Sequence, residues 1–157
     1  MRRLTALFII LSCIMIDISS KSFIQTIENS TNINSYITIY VTSNTGVAFS
    51  FLNNLEGTGN LILNLIILII LILLSVILYK NIHSEKTIFF GLSLILGGGY
   101  SNYIDRSVDG AVIDFIIIHY EDIYFPAVFN IADVFISVGA FLVLLSYIYS
   151  DGKNYKV

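Results

Sequence analysis

Four acids in this chain stand where ordinary surface charge does not. Asp17 interrupts the run LTALFIILSCIMIDIS, and Asp114 sits inside VIDFIII. Asp133 lies one to two turns into VFNIADVFISVGAFLVLLSYI, and Asp105, followed by Arg106, closes a stretch rich in small residues. An ionised group in lipid costs at least about 2.5–3.5 kcal/mol at a helix centre, so acids in such runs face a cavity or a partner. Two carboxylates brought together in a partly dry site cannot both ionise cheaply, and the pair shares a proton. That state suits hydrolysis of a peptide bond. The ionised member takes a proton from water while the protonated one hydrogen-bonds the carbonyl oxygen. Other chemistries are poorly supplied. His83 falls in a short basic loop and His119 stands alone, so no zinc site is spelled out. Cys13 is the single cysteine, which excludes an intrachain disulfide and a thiolate cluster. No G-x-S-x-G or glycine-rich phosphate loop occurs, and Gly97-Gly98-Gly99 reads as a close helix-packing surface.

The elements that must hold these acids follow from composition. The 157 residues are 56% hydrophobic and 12% charged, with a mean hydropathy of +0.84. Soluble domains carry about 25% charge, so lipid is the expected solvent. Four segments approach the length needed to span a bilayer, about 20 residues: 4–19, 61–79, 87–104 and 128–148. They must be helices, because lipid offers the backbone no other hydrogen-bond partner. A competing reading exists at the N-terminus, where Arg2 and Arg3 before an apolar run resemble a secretory signal and Ile10–Cys13 a lipoprotein cleavage box. The apolar run continues through Ile18, which favours an uncleaved span. Arg2, Arg3, Lys80, Lys86, Lys153 and Lys156 flank the termini and the loop between the second and third spans, while Lys21 and Arg106 lie opposite. The positive-inside rule then places both termini in the cytoplasm and sends the connections 20–60 and 105–127 outward. With a net charge of −3 and no basic stripe, nucleic acid is not an expected partner.

The outer connections have structure of their own. Ile33–Val41 and Ala111–Tyr120 are rich in β-branched and aromatic residues and read as strands of one small sheet. Ser43–Gly46 is a turn signal, and Val47–Leu55, too short to span, reads as a half-helix at the membrane surface. In the fourth span Asn130 and Asp133 share a helical face. A simpler account is that Asn130 caps the helix and Asp133 favours its positive end. Adjacent Asp105 and Arg106 are likewise open to reading as an interfacial ion pair. Asp114 has no such account, since no cation lies near it in sequence.

These residues resemble a family. The order Asn44-Thr45-Gly46-x-Ala48-Phe49, Gly97-Gly98-x-x-x-Asn102-x-x-Asp105-Arg106, Gly110-x-Val112-Ile113-Asp114-Phe115 and Phe129-Asn130-Ile131-Ala132-Asp133 is similar to that of lipoprotein signal peptidase, or signal peptidase II. Asp17 with Lys21 matches the motif at the end of that family's first span. The resemblance covers nearly the whole chain. It implies an α-helical integral membrane protein, one domain over 1–157, with four transmembrane helices, a small extracytoplasmic β-cradle and a short surface helix. It also implies an aspartic endopeptidase of the bacterial cytoplasmic membrane that cuts prolipoproteins just before a diacylglyceryl-modified cysteine. Asp114 and Asp133 carry over as the catalytic pair, and Asn102, Asp105, Arg106 and Asn130 as polar support, with Asn44 and Asp17 further out. No metal or cofactor is expected. The expected partners are the lipidated substrates and membrane lipid, and the chain is expected to act as a monomer. The alternative from another class is a small ion- or proton-coupled membrane protein using the same acids. Such a pathway needs polar groups across the bilayer, and the second span is almost bare of them. Two departures from the family pattern stand out. Tyr100 and Ser101 replace smaller or simpler residues, and Pro126–Asn130 is one residue longer than the usual P-x-F-N.

Overall fold

The computed structural model describes residues 1–27, 30–46 and 58–154. They form four long helices, α1 (Arg2–Ile24), α2 (Thr58–Lys80), α3 (Lys86–Asp109) and α4 (Ile131–Asn154), with the strand pair β1 (Thr31–Asn32) and β2 (Ile37–Asn44) between α1 and α2 and the pair β3 (Val112–Tyr120) and β4 (Ile123–Tyr124) between α3 and α4. The expected surface half-helix at Val47–Leu55 lies outside the described residues.

α3 is the hub and packs against each of the other three helices. Its three consecutive glycines explain how. Successive helical residues point about 100° apart, so each glycine faces a different neighbour. A Cβ on Gly97 would lie 2.5 Å from Cys13 Cβ in α1, and one on Gly99 would lie 2.6 Å from Leu71 Cδ2 in α2. A Cβ on Gly98 would collide with the carbonyl oxygen of Ala132 in α4 and lie 2.9 Å from Ile136 Cγ1. Side chains at these positions would hold the backbones apart, and apolar helices in lipid associate chiefly through such close approach. The core on this hub is formed by Ala6, Leu71, Leu78, Ile82, Phe89, Leu92 and Leu96.

The outward faces are apolar. α2 buries a narrow stripe of Leu63, Leu71 and Leu78 while exposing Leu65, Ile66, Ile69, Ile70, Leu73 and Ile77 among others. In water this would be an unprotected hydrophobic surface. α1, residues 59–80 and residues 131–149 are long and apolar enough to cross a membrane. α3 matches them in length, at 24 residues, but carries the small and polar residues of an interior position.

Several boundaries differ from the sequence expectation. α1 continues past Ser19 to Ile24, which places Lys21 inside the helix, and α3 continues past Ile104 to Asp109, so Asp105 and Arg106 are helical. α4 starts at Ile131 rather than residue 128, because Phe129 is held in extended form against β3. Its backbone N–H donates to Ile116 O at 3.1 Å, and its carbonyl accepts from Ile116 N–H at 2.8 Å. β2 starts at Ile37 rather than Ile33, since the Asn34 side chain accepts the N–H groups of Tyr36 and Ile37 and turns the chain there.

The strands form one antiparallel order, β1-β2-β3-β4, joining both outer connections as expected. The β2–β3 ladder carries a bulge. Ile39 faces Ile116, but Thr42 rather than Val41 faces Asp114. Facing alternates along a strand, so one extra residue reverses which side chains share a face. The bulge puts Asn44 on the Asp114 side of the sheet; in uninterrupted register Ser43 would be there. Ile24, Ile39 and Phe115 bury against one another and hold the sheet on the ends of α1 and α4.

Candidate active site

Asp114 and Asp133 reach the site from different elements. Asp114 is the third residue of β3 and is 2% exposed; its Oδ1 accepts from Asn130 Nδ2 at 2.7 Å and its Oδ2 from Asn44 Nδ2 at 2.8 Å. The Asn44 side-chain oxygen accepts the Gly46 N–H at 2.9 Å, a turn that Gly46 completes with φ of +84°. Asp133 lies in the first turn of α4. Its Oδ2 accepts the Asn130 N–H at 3.1 Å, while Asn130 Oδ1 accepts the Asp133 N–H at 2.9 Å. This reciprocal pair is a capping box, so Asn130 does cap the helix. Asn130 also reaches Asp114, so one residue ties both carboxylates. Capping and assembly of the site are the same interaction.

Behind Asp133 stands Asn102, whose Nδ2 donates to Asp133 Oδ1 at 2.9 Å and whose Oδ1 accepts from Asn130 Nδ2 at 3.1 Å and Lys21 Nζ at 3.0 Å. Lys21 is almost fully buried and pairs with Asp17 at 2.5 Å and Asp105 at 2.7 Å. Asp17 has no exposed surface; it also accepts Ser101 Oγ at 2.8 Å and the Ala132 N–H at 2.8 Å. It thereby joins α1 to α3 and α4.

The expected residues Asp17, Asn44, Asn102, Asp105, Asn130, Asp114 and Asp133 thus converge in one network. The Asp105–Arg106 ion pair is not formed, because Asp105 turns to Lys21 instead. The Arg106 guanidinium lies within electrostatic reach of Asp114, Asp133 and Asp105, and its Nε is buried without a hydrogen-bond partner. The sequence marks Lys21 as Asp17's motif partner and Ser101 as a departure from the family pattern, but assigns neither a place in the network. The four-residue spacing from Asp17 to Lys21 was the available signal, since it puts both on one helical face. Tyr100 turns away toward α2, where its hydroxyl lies 3.0 Å from Ser75 Oγ. His119 is on the sheet, against Thr38 and Tyr124. Among the described residues no three His, Cys, Asp or Glu side chains group as metal ligands would.

Burial pushes the Asp114 carboxyl above the ordinary carboxylate range, and the charge of Asp133 adds to this. The hydrogen bonds from Asn44 and Asn130 and the charge of Lys21 pull the other way without cancelling it. Both carboxylates open onto space. Asp114 borders a cavity of about 310 Å³ with Thr42, Ser43, Asn44 and Pro126–Val128. Asp133 borders an apolar one of about 370 Å³ with Ile118, Phe125, Phe129, Val134 and Val138. A polypeptide lying between the sheet and α4 would meet both acids.

Apolar-faced helices capped by a small sheet, with buried Asp114 and half-buried Asp133 held in a mesh of amides, define a membrane-type helical protein built around a pair of carboxylates. Comparison with known proteins agrees. The family described as signal peptidase (SPase) II matches residues 9–149. The lipoprotein signal peptidase of Bartonella henselae is 39% identical over 111 residues, an alignment spanning 70% of this chain and 66% of that relative. The lipoprotein signal peptidase of Photorhabdus laumondii is 34% identical over 155 residues, 96% of this chain and 92% of the relative. A bacterial membrane enzyme solved by the in meso method superposes with a TM-score of 0.71 at 28% identity, covering 97% of this chain and 92% of that one. The chain belongs to the signal peptidase II family.

Proposed function

We propose that this protein is an aspartic endopeptidase that removes the signal peptide from prolipoproteins, cutting just before the diacylglyceryl-modified cysteine, with Asp114 and Asp133 as its catalytic carboxylates. The observation that carries the assignment of residues is Asn130, which bonds to both acids at once. Asp114, pushed toward its protonated form, hydrogen-bonds the scissile carbonyl oxygen. Asp133, at a helix N-terminus and accepting from Asn102 and the Asn130 N–H, takes a proton from the attacking water. Water oxygen bonds to the carbonyl carbon and the carbonyl oxygen takes the Asp114 proton; as the resulting diol collapses, the C–N bond breaks and one hydroxyl proton returns to Asp114. Asp133 then returns its proton to the departing cysteine nitrogen. Asn44, Asn102, Asp105, Arg106 and Asp17 support the pair.

The same reading makes α3 a membrane span as well, the third in chain order, and the whole chain, 1–157, one monomeric domain in contact with membrane lipid. Both termini are cytoplasmic and the acids lie toward the outer face. Arg2 supports this orientation: its guanidinium donates to Ile82 O at 3.2 Å and Ser84 O at 2.8 Å, gathering the N-terminus and the Lys80–Lys86 loop at one end. Mass analysis of a diacylglyceryl prolipoprotein incubated with purified protein tests the assignment. Asp114→Asn and Asp133→Asn should each insert normally and lower the cleavage rate by about 10²–10⁴-fold; full cleavage by either variant refutes it.

A further inference from the structure

Lys21 touches neither of the two acids, yet its position decides what one of them sees. Its ammonium forms ion pairs with Asp17 Oδ2 at 2.5 Å and Asp105 Oδ2 at 2.7 Å and donates a hydrogen bond to Asn102 Oδ1 at 3.0 Å. An ammonium has no acceptor, so the end of the Asn102 amide that faces it must be the oxygen. The amide is planar and its two ends point opposite ways. With the oxygen fixed on Lys21, the NH₂ must face Asp133, where Nδ2 stands 2.9 Å from Oδ1. The same oxygen must also accept from Asn130, 3.1 Å away, which leaves the second Asn130 hydrogen for Asp114 at 2.7 Å.

We infer that Lys21 is a positioning residue of the proposed peptidase, locking the Asn102 amide in the one orientation that presents a donor to Asp133. The inference rests on the proposed catalytic role of the two aspartates. Fully buried Asp17 and half-buried Asp105 hold Lys21 itself in place. With Lys21 replaced by an apolar residue, the amide is free to turn over and set its carbonyl against the Asp133 carboxylate. Asp133 then loses a donor and gains a repelling dipole, and Asn130 loses its acceptor on Asn102.

The test compares Lys21→Gln with Lys21→Met in purified protein on a diacylglyceryl prolipoprotein peptide. A glutamine Nε2 still donates to Asn102 Oδ1, whereas methionine offers no donor. Losing one hydrogen bond to a charged group predicts a fall in kcat of about 10–100-fold for Lys21→Met, with KM changed less than about threefold and Lys21→Gln between it and wild type. Asn102→Ala should show a comparable loss, and Lys21→Met added to it should lower kcat no further. Because methionine strands Asp17 and Asp105, the pair Lys21→Gln/Asp105→Asn against Lys21→Met/Asp105→Asn serves if the single variant does not fold. A separate readout needs no turnover: in protein labelled with ¹⁵N-asparagine, the Asn102 side-chain NH₂ signals should move in the methionine variant and hold in the glutamine one. Additive losses for Lys21 and Asn102, equal kcat for glutamine and methionine, or unmoved NH₂ signals overturn the inference. Wild-type protein that leaves the peptide intact refutes the proposed function instead, and the NH₂ signals still decide the role of Lys21.

Discussion

Replacing Gly98 with alanine adds one methyl to the seam between α3 and the start of α4. That methyl would lie 3.1 Å from the carbonyl carbon of Ala132, closer still to its oxygen, and 2.9 Å from Ile136 Cγ1. Carbon contacts are comfortable at about 3.5–4.0 Å, so α4 must retreat by roughly 1 Å. Two of the three obstacles are backbone and have no rotamer to escape into. Ala132 adjoins Asp133, so the retreat carries that carboxylate with it, away from Asn102. Overpacking of this kind costs about 1–3 kcal/mol of stability, and a displacement of about 1 Å at a reacting group costs on the order of 10²-fold in rate. Gly99→Ala is the matched control, one position along the same helix. Its methyl meets only the flexible end of Leu71, at 2.6 Å, which can swing aside. Cleavage of a lipidated peptide and thermal unfolding in detergent, measured on both variants, should show Gly98→Ala crippled and Gly99→Ala close to wild type. Equal activity in the two would refute the claim that the Gly98 seam sets the position of Asp133.

Three further outcomes follow. Asp114 is pushed above the usual carboxylate range by burial, so cleavage should fall on the alkaline side as it loses its proton. Asn44 donates to it and so favours its charged form; Asn44→Ala should therefore move that alkaline limb to higher pH in a rate profile, and a shift to lower pH would contradict the contact. For stability the sign is the same: the benefit of the raised Asp114 value is full below about pH 3.9, the unfolded value, and is lost as pH rises through the folded one. Ser101→Ala removes a 2.8 Å hydrogen bond to fully buried Asp17 and should cost about 1.5–3 kcal/mol in chemical denaturation. Tyr100→Phe loses only the contact with Ser75 and should cost about 0.5–1.5 kcal/mol while leaving the cleavage rate unchanged.

Much of the site could be read from the chain because charge in an apolar run is expensive. Asp114 and Asp133 stood out for that reason, and so did Asn102, Asn130 and Asp17 at matching depth. The three glycines were legible as a packing surface, though not that each serves a different helix. Counting charges places Lys21 on the outer side, a rule about loops that says nothing of a lysine buried against two acids. Asn44 could be placed beside Asp114 only by knowing the bulge, and a bulge depends on how two distant strands pair. The start of α4 slipped for the same reason. Val128 and Phe129 are apolar enough to continue a helix, but Phe129 has a backbone partner on β3 that local pattern does not reveal.

The hub in α3 bears on how such a chain can change in length. Gly97–Gly99 lock the helix to three neighbours, and Asn102, Asp105 and Arg106 follow within two turns. One residue inserted between Gly99 and Asn102 would rotate all three by about 100° while the glycines stayed put, scattering the network at a stroke. Insertions should be lethal there, however conservative their chemistry. The stretch before Asn130 is different: its extra residue over the resembled pattern falls upstream of the Phe129–Ile116 bridge, which resets the frame before the cap. Drift in chain length has a permitted place in this fold and a forbidden one, and they are separated by fewer than thirty residues.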